Sequence, residues 1–393
     1  MIERNLETQV RDSASQYPVV TVTGPRQSGK TTLCKRVFPQ KRYVSFEQME
    51  QRLYATEDPR GFLDDHRDGA ILDEVQHVPG LLGYLQTEVD ERPEPGRWVL
   101  TGSQHLGLSQ NVSQSLAGRT AVLRLLPCSI DELGRFDEAP GDLFATLWFG
   151  GYPRIHDRRI PPSRWLADYV TTYVQRDVRQ LLNVGDLTTF TTFVRLCSGR
   201  TARTVNTSAL AADCGISHNT ARAWLSVLEA SFLVFRVPPL HANLRKQLIK
   251  SPKLHFIDSG LVCNLLGIDS PEQLRHHPLR GQIFESWVVS EAYKHSLHRG
   301  LEPRLHHYRE RKGTEVDLVA DRGGRVVLTE IKSGMTVSSR FFDSISKLER
   351  ALAEGETIAQ RGVEKRLVYG GDQRQRRSAA LVIPWAEVAE HDW

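Results

Sequence analysis

The chain has 393 residues, with 51 Lys and Arg against 47 Asp and Glu and a formal net charge of +4. That length predicts two or three domains, and ordinary apolar and charged usage predicts a globular fold rather than a disordered chain. No apolar run approaches the roughly 20 residues that cross a bilayer, and the charged opening MIERNLETQVRDSASQ has no apolar signal core. Five scattered cysteines (34, 128, 197, 214 and 263) form no CxxC pair and read as reduced thiols of a cytoplasmic protein.

YPVVTVTGPRQSGKTTLCKRVF reads as strand, loop, helix. Val19, Val20 and Val22 make a buried strand, and 32–38 a short helix. Between them GPRQSGKT (24–31) fits GxxxxGK[ST] in full. Gly24, Pro25, Arg26, Gln27, Ser28, Gly29, Lys30, Thr31 and the following Thr32 are therefore candidate nucleotide-binding residues. The glycines let backbone N–H groups curl round phosphate oxygens at a helix N-terminus. Lys30 would neutralise the phosphates of ATP, and the Thr31 hydroxyl would hold Mg²⁺.

GAILDEVQ (69–76) is an apolar strand ending in two carboxylates. Asp73 would bind the Mg²⁺ and Glu74 would polarise the attacking water. WVLTGSQ (98–104) is a third buried strand, with Ser103 or Gln104 in reach of the γ-phosphate or the water. SLAGRTAVLRLLP then brings a helix end, Gly118, Arg119 and a fourth strand.

GPRQSGKT, ILDEVQ, VLTGSQ, LAGR, FGGYP (149–153), YVTTYVQRDVRQLL and FIDSGLVCNLLG stand in an order that resembles a prokaryotic AAA-type ATPase family. The C-terminal half of that family is a domain of unknown function, and the resemblance covers nearly the whole chain. It implies an α/β P-loop AAA-type core at 1–127, a helical lid at 128–198 and a homo-oligomer. It also implies that Arg119 is an arginine finger acting on a neighbouring subunit's nucleotide. The alternative for Arg119 is a surface arginine after a helix C-cap. Arg176 and Asp177 read as a structural ion pair.

TSALAADCGISHNTARAWLSVLEASFLVFRV (207–237) has helix-turn-helix spacing at Leu210, Ala211, Cys214, Gly215, Ile216, Ala221 and Trp224. Gly215 permits the tight turn and Ser217 can cap the second helix. FLVFRV and KLHFID supply strands, giving a winged helix at 199–257. Residues 200–250 hold seven Arg and Lys against two Asp and Glu. His218, Asn219 and Arg222, with Arg245 and Lys246, are candidate DNA contacts; the alternative is a packing element.

GQIFESWVVSEAYKHSL (281–297) is helical in pattern with Glu285 near its start. A strand, the strand EVDLVA, a turn at DRGG and the strand VVLTEIKS follow. Helical Glu285, Asp317, and Glu330 with Lys332 thirteen positions later resemble the restriction-endonuclease-like PD-(D/E)xK fold, here 258–393. The resemblance implies that Asp317 and Glu330 hold Mg²⁺ with the Ile331 carbonyl. Lys332 would act on water, and Glu285 would complete the metal's surroundings or hold a second ion. No proline precedes Asp317; Val316 does. Two functions follow. One is an ATPase acting on DNA through a metal-dependent nuclease-like domain. The other is an ATP-dependent switch or interaction protein with a catalytically inert nuclease-like fold.

Overall fold

The structure is a computed structural model and describes residues 2–103, 115–174, 187–240, 251–310, 313–353 and 362–393. They form two compact units. The first comprises Met1–Cys128, Ala230–Phe232 and Leu297–Leu301. The second comprises Ser129–Glu229, Leu233–Ser296 and Glu302–Trp393. No helix among the described residues is long and apolar enough to cross a membrane.

In the first unit, strands β1 (Val19–Thr23), β2 (Arg42–Ser45), β3 (Ala70–Asp73), β4 (Trp98–Gly102) and β5 (Thr120–Arg124) form one sheet in the order β2-β3-β4-β1-β5. All its pairings are parallel. Alternate residues of a strand face opposite sides, and both sides of the central strands β1, β3 and β4 are buried. Val19, Leu72, Trp98 and Leu100 enter one core. Val20, Val22, Ile71 and Val99 enter the other, with Leu33 and Val37 of the helix Lys30–Val37. Near-continuous apolar strands are what a doubly covered parallel sheet requires. The sequence expectation of four strands omits β2. RYVS is a short edge strand in which only Val44 is fully buried, so its apolar signal is one residue long.

In the second unit, the helices Leu143–Phe149 and Ser259–Leu265 meet at a glycine. Asp258 accepts the Gly151 N–H at 2.6 Å and the Leu261 N–H at 2.8 Å. Gly150 has φ +68°, and a Cβ on it would lie 2.4 Å from the Asp258 carboxylate. FGGYP and FIDSG are thus two halves of one joint.

The helices Thr207–Cys214 and His218–Ala230 follow the helix Leu187–Ser198 and the strand β6 (Arg203–Thr204). Asn206 caps the first of the two, Gly215 turns the chain at φ +67°, and the Ser217 hydroxyl accepts the Thr220 N–H at 3.0 Å. Trp224 packs edge-on against Phe190 and Phe193. β7 (Val234–Val237) and β8 (Lys253–Phe256) complete an antiparallel sheet in the order β6-β8-β7.

The helix Arg280–His298 leads into a six-stranded sheet in the order β13-β14-β12-β11-β10-β9. β9 (Leu305–Arg309), β10 (Glu315–Asp321) and β11 (Arg325–Lys332) run antiparallel. β11, β12 (Gly362–Tyr369) and β14 (Leu381–Pro384) run parallel, with β13 (Gln375–Arg376) antiparallel at the edge. Between β11 and β12 the helix Asp343–Ala353 buries Ile345, Leu348 and Leu352 on Val319, Val326 and Leu328. The β9–β10 register shifts between Val316 and Val319, so Asp317 lies in an irregular stretch. Such irregularities re-aim side chains.

Candidate nucleotide site and carboxylate cluster

The loop 24–29 leaves the C-terminal end of β1 and opens the helix Lys30–Val37. Crevices at strand C-termini of open parallel sheets are where ligands sit. Gly24 is obligatory on two counts: its φ is +149°, and a Cβ would fall 2.0 Å from the Leu125 carbonyl oxygen. Arg4, from the N-terminal segment, donates to the Ser28 and Leu126 carbonyls at 2.7 Å each, tying the loop to the end of β5. Lys30 Nζ donates to the Gly24 and Pro25 carbonyls at 3.0 and 2.9 Å. Burial lowers its pKa against the opposing pull of Glu74 and Asp73. The Ser28 hydroxyl is buried with no hydrogen-bond partner.

Asp73 ends β3 and is surrounded by hydroxyls. Thr31 donates at 3.0 Å, Tyr43 at 2.7 Å, and Thr101 makes a further contact. Thr101 also accepts the Glu74 N–H at 3.3 Å. Glu74 sits at φ +58°, a left-handed conformation that costs a non-glycine residue energy. Its carboxylate accepts from Ser103 at 3.1 Å and from the Gln76 amide. Burial pushes Glu74 up, but Lys30, Gln76, Arg26 and Ser103 together hold it below its ordinary value, so it is ionised near neutrality.

Lys30, Thr31, Asp73, Glu74 and Ser103 therefore come together as the sequence predicts. Arg26 is buried and Gln27 takes φ +63° within the loop, while Thr32 is exposed on the helix. Gln104 lies outside the described residues. Arg119 stands partly exposed at the start of β5 and pairs with Asp90 through two bonds of 2.5 and 2.8 Å. Tyr43, Thr101, Gln76 and Arg4 were not legible as site residues. The unpaired Ser28 hydroxyl and the Thr31–Asp73 pair suit a nucleotide phosphate and Mg²⁺: Thr31 and Asp73 would hold the ion, which would supply charge neutralisation.

In the second unit, Glu285, Asp317, Glu330 and Lys332 also converge. Lys332 Nζ lies 2.5 Å from Glu330 and 3.3 Å from Asp317. Asp317 accepts the Ile331 N–H at 2.9 Å. Two further residues complete the group. Lys253 Nζ stands 2.7 Å from Glu285, 2.6 Å from Glu315 and 3.8 Å from Asp317, its side chain 0% exposed. Burial, then Asp317, pushes Glu285 and Glu330 upward against the pull of their lysines.

This arrangement does not fit the expected Mg²⁺. Each of its three carboxylate ligands already holds or neighbours an ammonium. Among the described residues, no three His, Cys, Asp or Glu are disposed to hold a metal ion. Glu315 was not singled out in the sequence, although its place two positions before Asp317 in the same strand could have pointed to it; Lys253, far off in sequence, gave no such signal. His218, Asn219 and Arg222 are all exposed on the helix His218–Ala230. Arg245, Lys246, Arg176 and Asp177 lie outside the described residues.

Three family models match the chain: an AAA domain at 16–134, a domain of unknown function (DUF8612) at 141–272, and a domain of unknown function (DUF4143) at 280–388. Two curated relatives are "Uncharacterized protein Rv2008c" of Mycobacterium tuberculosis and "Uncharacterized protein Mb2031c" of Mycobacterium bovis. Each is 29% identical over 385 residues, covering 96% of this chain and 82% of the relative. Among solved structures, the Walker-type ATPase PABY2304 of Pyrococcus abyssi overlaps at TM-score 0.42 and 14% identity, over 67% of this chain and 96% of its own. AMPPCP-bound DnaA of Aquifex aeolicus overlaps at TM-score 0.26 and 14% identity, over 57% and 85%. Overlaps this loose assign neither fold nor function. The stretch that carries the phosphate loop, Asp73 and Glu74 is the one that the AAA domain model matches.

Proposed function

We propose that the chain binds and hydrolyses ATP with Mg²⁺ at the loop 24–31. The observation that carries this reading is the meeting of Thr31 with Asp73 beside an ionised Glu74. Lys30 would bind phosphate, Asp73 and Thr31 would hold the metal, and Glu74 would accept a proton from the attacking water. Lys30→Ala should abolish tight ATP binding. Glu74→Gln should bind ATP and lose about 10²- to 10⁴-fold in kcat. Normal turnover in both variants would sink the assignment.

The second unit is read as a winged helix followed by a restriction-endonuclease-like fold. The support is its element order from Leu187 on: helix, β6, two helices, β7 and β8, then three helices, three antiparallel strands, helix and a parallel strand. DNA would meet the exposed face of His218, Asn219 and Arg222. Arg222→Ala should weaken DNA binding and lower the salt slope by about 1; an unchanged slope would leave the helix pair as a packing element. For the C-terminal fold, the buried Lys253 favours the switch or interaction reading over phosphodiester cleavage.

A further inference from the structure

The carboxylate cluster has a charge balance of its own, apart from ATP hydrolysis. Four carboxyls, Glu285, Glu315, Asp317 and Glu330, meet two ammoniums, Lys253 and Lys332, and at the rim Glu315 also pairs with the Arg309 guanidinium at 3.4 Å. Lys253 is the unusual member. It comes from β8, in the three-stranded sheet, where all four residues are buried. The carboxyls come from the helix Arg280–His298, β10 and β11.

A buried ammonium is tolerated only when paired. Burial lowers the pKa of Lys253, yet Glu285, Asp317 and Glu315 outweigh it, and the group stays charged. Its backbone is fixed as well. The Phe256 N–H and the Thr201 hydroxyl meet Ser286 of the long helix at 3.2 and 2.8 Å. Beyond β7, the chain bonds to His307 on β9 through Pro238 and Leu240. Lys253 is therefore set in place by the contacts that seat β8 on the long helix, while the segment after β7 is held on β9.

We propose that Lys253 is the resident cation of this cluster. Its ammonium fills the charge role that a divalent ion fills in metal-dependent nucleases. The native protein therefore takes no divalent ion there, and removing the ammonium turns the cluster into a divalent-cation site. A metal ion would need carboxylate oxygens at roughly 2.1 Å, and Glu285 and Glu315 already hold Lys253 at hydrogen-bond distance. Burial, and after it the charge of Asp317, raises the pKa of Glu285 and Glu330, and a carboxyl that keeps its proton in this way is a poorer ligand for a divalent ion.

The test is Mn²⁺ binding to the full chain without nucleotide, read by electron paramagnetic resonance of free Mn²⁺. Each protein is paired with its Asp317→Asn counterpart, so that any ion at the phosphate loop subtracts out. The native pair should show no difference. Lys253→Met should gain one Asp317-dependent ion, so that it binds one more Mn²⁺ than its own Asp317→Asn counterpart. An Asp317-dependent ion in the native protein overturns the proposal, as does a folded Lys253→Met that gains none. Lys253→Gln, which keeps a polar group in the space, is the second variant. Should neither variant fold, the native pair still decides, an Asp317-dependent ion overturning the assignment and equal binding supporting it.

Discussion

Asp73 and Asp317 are both buried carboxylates on sheet strands, yet their neighbours differ in kind. Around Asp73 stand three hydroxyls, from Thr31, Tyr43 and Thr101. Neutral donors stabilise a carboxylate without forming an ion pair with it, and the Lys30 ammonium, bonded to the Gly24 and Pro25 carbonyls, acts on Asp73 only from a distance. Around Asp317 stand a backbone N–H and the ammoniums of Lys332 and Lys253, which cancel it. The first site keeps a demand for a cation, and the second has met that demand from the chain. A strand carboxylate marks a place for charge, and what arrives from other strands decides whether the place stays open.

Substitutions at each site test this contrast. Thr101→Val should have the larger effect. It removes a donor to Asp73 and the acceptor for the Glu74 N–H, and hydrogen bonds to charged groups are worth about 1.5–3 kcal/mol. We expect kcat to fall roughly ten- to a hundredfold, with a higher Mg²⁺ requirement. An unchanged Mg²⁺ requirement would mean that the hydroxyl shell is incidental.

The smaller effect is on stability against pH. Glu285 and Glu330 are pushed up from 4.5 to about 8 in the folded chain, first by burial and then by Asp317. The folded state therefore binds more protons than the unfolded one, and stability falls as pH rises through that window. Glu285→Gln should flatten the fall by about 1–3 kcal/mol, or roughly 3–10 °C in Tm. Parallel pH profiles for native and variant chains would place the carboxyls in an ordinary, hydrated setting.

How much of this was legible follows from distance along the chain. The phosphate loop, Asp73 and Glu74 are local patterns, and the structure assembles them. Tyr43 and Thr101 reach Asp73 only because β2 and β4 flank β3, an order that no local pattern carries. Thr101 lies two residues from Ser103, within the stretch already singled out. The C-terminal carboxylates were legible because β10 and β11 form a hairpin and spacing across a hairpin is short. Lys253 reaches them from β8, 32 residues before Glu285, and a lysine in a short apolar strand looks like any strand-end charge. Asn206, which caps the helix Thr207–Cys214, went unread beside the caps that were found.

The joint between Gly151 and Asp258 has a consequence for the order of synthesis. Its two halves are 107 residues apart. At roughly 5–20 residues per second on a ribosome, the first half waits about 5–20 s for the second. Until then Gly150 and Gly151 present a bend with no carboxylate to receive it, and the helix Leu143–Phe149 lacks the neighbour Ser259–Leu265 that covers it. The nascent segment between them passes through that interval with the face of Leu143–Phe149 that Ser259–Leu265 later covers still open, a stretch of apolar surface that a chaperone could shield.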